Sequence, residues 1–396
     1  MSKKLYHNTV AVIRREWKRI LGRPIYLFSS VFVMIFCYIF FLSIFNDGMP
    51  RSLPIGVVDL DHSYVSRTFV RNMDAVPNVH VVKQYVDYGE ARDAMQRGDI
   101  YAFYTLDKGF GRKLMSSQQP DFSFYVNEAY IVAGSLTYKE LIYMSNLGIA
   151  FVQKKMLELR GEEVIDKEIL ATVQPISNDS HMIANPYVNY GVYLLNMLLP
   201  GIMQMLILLM TVFTIGFEMK MNTTSNLMET ANKSMLAALL GKLLPYTLLF
   251  SILGIGGNLV LYKFMHFPMN GSLLRYSFST VLFVMAYQAI GVMFIGLLPS
   301  LREALSLVAV YAILGVSFTG FTFPIEAMPR GVQVFQHLFP TRYYFKIYVA
   351  EALNGAPIRY SLIYFAVMAA FMLLPFLTYK RLRNSVMKSS ITDTVK

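Results

Sequence analysis

The 396 residues are 55% hydrophobic and only 15% charged, with a mean hydropathy of +0.43 and a formal net charge of +11. A soluble domain carries roughly 25% charged residues, so this composition excludes an ordinary globular protein and points to a membrane protein. The single cysteine, Cys37, excludes a disulfide framework and a cysteine-based zinc site.

Residues 1–24 set Val10, Val12, Ile13, Trp17, Ile20 and Leu21 among basic residues, and Pro24 closes the segment. That pattern predicts an amphipathic helix on the inner leaflet, with Trp17 at headgroup depth and Arg and Lys toward the lipid phosphates. Residues 25–45 hold the first apolar run, Ile25 to Phe45. About 20 apolar residues are needed to cross the hydrocarbon core, and this run meets that length. It is too long for a signal peptide and leads into "NDGMPR" without a small-residue cleavage site, so it reads as a retained anchor.

Residues 46–190 read as an inserted α/β domain. Strands are predicted at "IGVVDLD" (Ile55 to Asp61), "VHVVKQY", "IYAFYT" and "FSFYVN". Helices are predicted at "SYVSRTFVRNM", where Val65, Phe69 and Met73 recur at helical spacing, and at "YGEARDAMQRGD", stopped by Gly98. Alternation of strand and helix favours parallel pairing. From Ala129 to Leu159 the pattern becomes one long helix ending in "KKMLELRGEEVIDKE", expected to stand off the membrane as a stalk.

Residues 191–379 supply five further apolar runs: Tyr193 to Phe217, Leu243 to Leu261, Ser277 to Leu298, Ala304 to Phe323 and Ser361 to Tyr379. Between the first two of these, Thr224 or Ser225 can cap a short helix within residues 222–233, with Leu227 and Met228 as its apolar face. Such a helix could seat in a groove of a partner. Residues 324–346, between the fifth and sixth runs, hold Pro324, Pro329 and Pro340, the charged Glu326 and Arg330, and a cluster of aromatics. Residues 380–396 form a basic tail.

Lys and Arg concentrate before the first run, between the second and third (Lys220, Lys233, Lys242), between the fourth and fifth (Arg302) and after the sixth. Those sides are expected to be cytoplasmic, with both termini inside. The insert carries 14 Lys plus Arg against 18 Asp plus Glu, so the basic excess belongs to the membrane flanks. A nucleic-acid partner loses its support.

No catalytic constellation is present. The six histidines are scattered, and the Gly241-Lys242 pair lacks the rest of a phosphate-binding loop. No metal or cofactor is expected. None of the six apolar runs contains Asp, Glu, Lys, Arg or His, which disfavours ion-coupled transport. The neutral polar residues Gln204, Asn258 and Gln288 can line a path or hydrogen-bond between helices.

Nearly the whole chain resembles the type-2 ABC exporter permeases, in the branch with a large extracytoplasmic domain between the first and second spans. The resemblance rests on "IGVVDLDHSYVSRTFVRNM", "ARDAMQRGDIYAFYTLDKGFGRKL", "LLGKLLPY" and "FPIEAMPRGVQVFQHLFPTRYYF". The sequence departs from the family's pattern at Asn222-Thr223, where Gly-Thr is common, and at "TLDKGF", where a proline is common. The resemblance implies an α-helical integral membrane protein with six transmembrane helices and an inserted α/β domain. It implies the permease subunit of an exporter in a bacterial inner membrane, without an ATPase site of its own. Partners would be a separate ABC ATPase, a second permease (itself or a paralogue), a periplasmic adaptor and membrane lipids. Coupling to the ATPase would run through Glu218, Asn222, Thr223, Leu227, Met228 and Glu229. A translocation path would pass Gln204, Asn258 and Gln288. A re-entrant gate would use Pro324, Glu326, Pro329, Phe335 and Pro340, with Val332, Val334 and Phe339 toward lipid or a partner and Tyr343 and Tyr344 at the interface. The rival reading is a membrane-anchored receptor acting through its outer domain, although an anchor needs far fewer than six spans.

Overall fold

The computed structural model describes residues 3–76, 78–116, 118, 121–159, 184, 185 and 189–394. The chain divides into two compact units, Met1–Gly48 with Met182–Lys396, and Met49–His181. The first unit opens with α1 (Lys3–Gly22) and α2 (Pro24–Ile44). Pro24 separates them: it stands in the first turn of α2, and the residue before it, Arg23, is extended at φ −129° and ψ 111°. Phe28, Phe32, Phe36 and Phe40 form an exposed stripe of successively stacked rings along α2.

The second unit is a four-stranded sheet of β1 (Leu53–Asp59), β2 (Val79–Tyr85), β3 (Ala102–Leu106) and β4 (Phe122–Val126), in the order β2-β1-β3-β4. Its helices are α3 (Tyr64–Asp74), α4 (Tyr88–Arg97), α5 (Phe110–Met115) and α6 (Ile131–Leu159). β1 pairs in parallel with β2 and β3, as alternation predicts. β4 is antiparallel to β3. The six residues of α5 rise only about 9 Å, too little to carry the chain back along β3 for a parallel return. β1 begins and ends two residues earlier than the apolar run does. Asp59 is buried, accepting the N–H groups of Asp61 and His62 and the Ser66 hydroxyl, so it closes the strand. α3 is capped by Ser63, and Gly98 ends α4 in the left-handed region at φ 84°. Leu141 and Met144 of α6 pack into the sheet's core. The charged end of the expected stalk, from Arg160 on, lies outside the described residues.

The rest of the first unit is α7 (Tyr190–Lys220), α8 (Thr224–Thr230), α9 (Met235–Phe264), α10 (Leu273–Leu297), α11 (Leu301–Ser317), α12 (Arg330–Phe335), α13 (Pro340–Tyr348), α14 (Ile358–Phe371) and α15 (Pro375–Thr394). Among the described residues, five helical stretches are long and apolar enough to cross a membrane: α2, α7, α9, α10, and α14 with α15 as Ile358–Lys388. The run Ala304 to Phe323 differs from its expectation. Its helix, α11, has 17 residues, about 25 Å against a core of about 30 Å, and the chain leaves helix at Phe318. Helices α7 and α10 are the most enclosed of the five, and α2 and α14–α15 the least. The centre of the unit therefore lies around α7 and α10, with Phe250 of α9 and Tyr276, Phe283 and Tyr287 of α10 fully buried.

Candidate functional site

Three helices meet at one end of the bundle in a buried ionic cluster. Lys242 of α9 donates to Glu16 of α1 at 3.0 Å and to Glu218 of α7 at 2.5 Å. Arg15 bonds both oxygens of Glu218, at 2.9 and 3.1 Å, and Arg19 bonds the same carboxylate. The Tyr246 hydroxyl donates to the other oxygen of Glu16 at 3.1 Å. Glu16, Glu218 and Lys242 are at most 1% exposed. Such desolvation is costly, and only saturated hydrogen bonding with opposite charge offsets it. Arg19 also lies over the rings of Tyr26 and Phe217, which offer it their negative faces. Burial alone would favour its neutral form, but the carboxylates of Glu218 and Glu16 outweigh burial and hold its pKa above the ordinary value.

The local sequence explains this geometry. Val12, Glu16 and Ile20 recur every four residues, so they share the inward face of α1. Gly241 lets α9 close on that face: a Cβ there would lie 2.5 Å from the Cβ of Val12 and 2.8 Å from the carbonyl of Thr9. The Gly241-Lys242 pair that fails as a phosphate loop thus serves as a close approach followed by a buried cation.

The helix expected at residues 222–233 is α8, mounted on this cluster. Asn222 has φ 52°, a left-handed position that asparagine tolerates, and Thr223 rather than Thr224 or Ser225 takes the capping position. The Thr223 N–H donates to the carbonyl of Glu218 at 3.0 Å. Leu227 and Met228 do not present an apolar face outward; they are buried where α8 packs on α15, α1 and α9. Asn222, Asn226, Glu229, Asn232 and Lys233 form the exposed side.

The neutral polar residues of the spans hydrogen-bond between helices. Gln204 of α7 donates to the carbonyl of Ala312 in α11 at 2.9 Å and accepts from Thr341 of α13, which also bonds Tyr287 of α10. Asn258 of α9 donates to Thr280 of α10 at 2.9 Å, and Gln288 bonds Thr247 and the carbonyl of Leu243. Asn258 lines a cavity of about 10 Å³ with Tyr38, Asn196, Thr280 and Tyr344, room for about one water.

In residues 324–346, Pro324 and Pro329 precede the 3-10 turn Ile325–Ala327 and α12, and Pro340 occupies the first turn of α13. Val334 and Phe335 are exposed. Phe339, Tyr343 and Tyr344, placed by sequence at lipid or interface, are buried: Phe339 stacks on Phe318 and meets Tyr311 at a tilt, and Tyr344 packs on Phe283 and bonds Thr280. Glu326 stays exposed, 3.5 Å from Arg342, whose other terminal nitrogen bonds the carbonyl of Thr319 at 2.7 Å.

Sequence reasoning missed Glu16, Lys242 and Tyr246, and a second buried carboxylate. Glu351 accepts from Arg275 at 2.8 Å and from the Ser361 hydroxyl at 3.0 Å. The absence of ionisable groups holds for the apolar runs but not for the helices, which extend beyond them to include Glu218, Lys242 and Arg275. The available signal was an acidic residue on the apolar stripe of an otherwise basic helix.

A bundle with several membrane-length helices, tied at one end by buried charge, defines a multi-pass membrane protein. The chain belongs to the ABC-2 family of transporter proteins, whose model, described as ABC-2 family transporter protein, matches residues 24–378. No curated protein matches it. It is therefore the permease component of an ABC transporter, of a family that normally works with a separate ATPase subunit.

Proposed function

We propose that this permease exports its substrate across a bacterial inner membrane, as one half of a dimer with itself or a paralogue, driven by a separate ATPase. In this reading both termini are cytoplasmic, α11 with the residues after it completes a sixth crossing, and the Met49–His181 unit lies in the periplasm, where an adaptor can continue the route. Residues 324–346 cap the outer end of the path as a re-entrant gate.

The observation that carries the reading is the ionic cluster under α8. Force from an ATPase needs a rigid lever. α8 is short, but its inner side is packed through Leu227 and Met228, and its first turn hangs from Glu218, whose carboxylate is held by α1 and α9. Displacement of α8 would thus move α1, α7 and α9 together. Asn222, Thr223 and Glu229 form the partner-facing part of the coupling site, while Glu218, Leu227 and Met228 transmit.

The test places positive charge on the exposed side, Asn226→Arg with Glu229→Arg. Membrane levels should stay normal, while copurification of the cognate ATPase and stimulation of its activity should fall at least tenfold, the loss of one or two interfacial contacts. Normal copurification and stimulation would overturn α8 as the coupling element.

A further inference from the structure

At the end of the bundle that carries α8, a second feature is unused by the coupling reading. A cleft of about 790 Å³ opens between the end of α7, the start of α11 and α15. Lys220, Arg302 and Lys388 line it together with Ser300, Leu301 and Leu305. Lys220 and Arg302 have no carboxylate partner among the described residues. Their positions differ physically. Lys220 ends α7, where the helix dipole favours a cation. Arg302 stands in the first turn of α11, where the dipole opposes one, and Ser300 gives that turn no side-chain cap. The open amides of a 17-residue helix and the cationic side chains of Lys220 and Arg302 therefore border one space, a combination that holds an anion.

The apolar surroundings specify which anion. From Arg302 the exposed side of α11 runs through Ser306, Val310, Ile313 and Leu314, and the last three are 43–63% exposed. A headgroup in the cleft would leave its acyl chains along that stripe, within the hydrophobic depth of the bundle. A soluble phosphate would gain nothing from it.

We propose that this cleft binds the phosphate headgroup of an anionic phospholipid from the leaflet at that end of the bundle, with an acyl chain along Val310, Ile313 and Leu314. Lys220 and Arg302 supply the charge, and the first turn of α11 supplies N–H donors to the phosphate oxygens.

The test uses the full chain in nanodiscs of phosphatidylcholine with or without phosphatidylglycerol, both leaflets alike. Native mass spectrometry of the wild type should show one phosphatidylglycerol per chain retained on the order of tenfold over phosphatidylcholine, in line with two juxtamembrane cations. Lys220→Gln with Arg302→Gln should abolish the preference. Arg381→Gln with Arg383→Gln, exposed basic residues of α15 that do not line the cleft, should keep it. Equal loss in both variants would reduce the effect to general surface charge and overturn the proposal. So would displacement of the retained lipid by millimolar inorganic phosphate or glycerol 1-phosphate, which would mark a soluble-anion site. Should the cleft variant fail to fold, wild-type retention decides alone, and absence of preference there overturns the site.

Discussion

Lys242 and Glu16 stand 226 positions apart in sequence and 3.0 Å apart in space, both excluded from solvent. Removing one partner leaves the other buried with fewer opposite charges, since Lys242 keeps Glu218 while Glu16 keeps only the Tyr246 hydroxyl and Arg15 at 3.9 Å. Breaking a buried pair costs up to about 3–5 kcal/mol, whereas replacing both partners by apolar residues of similar volume is often neutral. The expected result is strong destabilisation for Glu16→Met and for Lys242→Met, and a smaller loss for the double variant than the singles sum to. Thermal unfolding of the four proteins in detergent gives the cycle. Additive effects would mean that the two charges are stabilised independently.

Thr341 joins Gln204 and Tyr287, and all three are buried. Thr341→Val keeps the shape and removes the hydroxyl, leaving the Gln204 oxygen and the Tyr287 hydroxyl short of a partner. The cost should be about 1–3 kcal/mol. Because the lost bonds tie α13 to α7 and α10, hydrogen exchange should rise in α13 ahead of global unfolding. Uniform acceleration across the bundle would show that the triad does not hold α13 locally.

How much of this was legible follows from the range of each interaction. Runs of apolar residues and period-two strands depend on neighbours, so the six apolar runs, the four strands and the helix near residue 227 could be read along the chain. Their ends could not. Hydropathy stops at a charge, yet α9 begins at Met235 and carries Lys242 inward because Glu16 and Glu218 meet it there. Leu227 and Met228 look like an interface for the same reason: an apolar helical face is identical in sequence whether its cover is a partner or α15. The reversal of β4 depended on the reach of six helical residues, a length rather than a pattern.

Asp61 links two loops of the second unit, accepting the N–H groups of Gly109 and Gly111, each at 2.8 Å. Partial burial would raise its pKa, but the hydrogen bonds from Ser63, Gly111 and Gly109 dominate together, and the net shift is below the ordinary value of 3.8. A depressed carboxylate contributes stability that is complete above its unfolded pKa and is lost as pH falls through its folded pKa. Exchange protection of the Gly109 and Gly111 amides should therefore hold at pH 5 and weaken below about pH 4, toward acid. In Asp61→Asn the protection should be lower and flat across that window. An unchanged profile in the variant would assign the acid sensitivity to another group.

The last prediction concerns the parity of the crossings. Among the described residues five helical stretches have the length and apolarity to span, and an odd number would put the two termini on opposite sides. The proposed orientation, drawn from the Lys and Arg of the flanks, puts both on the same side. The two statements agree only if the short α11 crosses too, with the chain after Phe318 making up the remaining depth against protein rather than lipid. Single cysteines at His7, Gln118, Asn226 and Arg383, all exposed, report this in a Cys37→Ala background. A membrane-impermeant thiol reagent applied to intact cells should label Gln118→Cys and leave the other three unlabelled until the membrane is opened. Labelling of Arg383→Cys from outside, with His7→Cys protected, would mean that α11 turns back within the bilayer. The number of crossings would then be five.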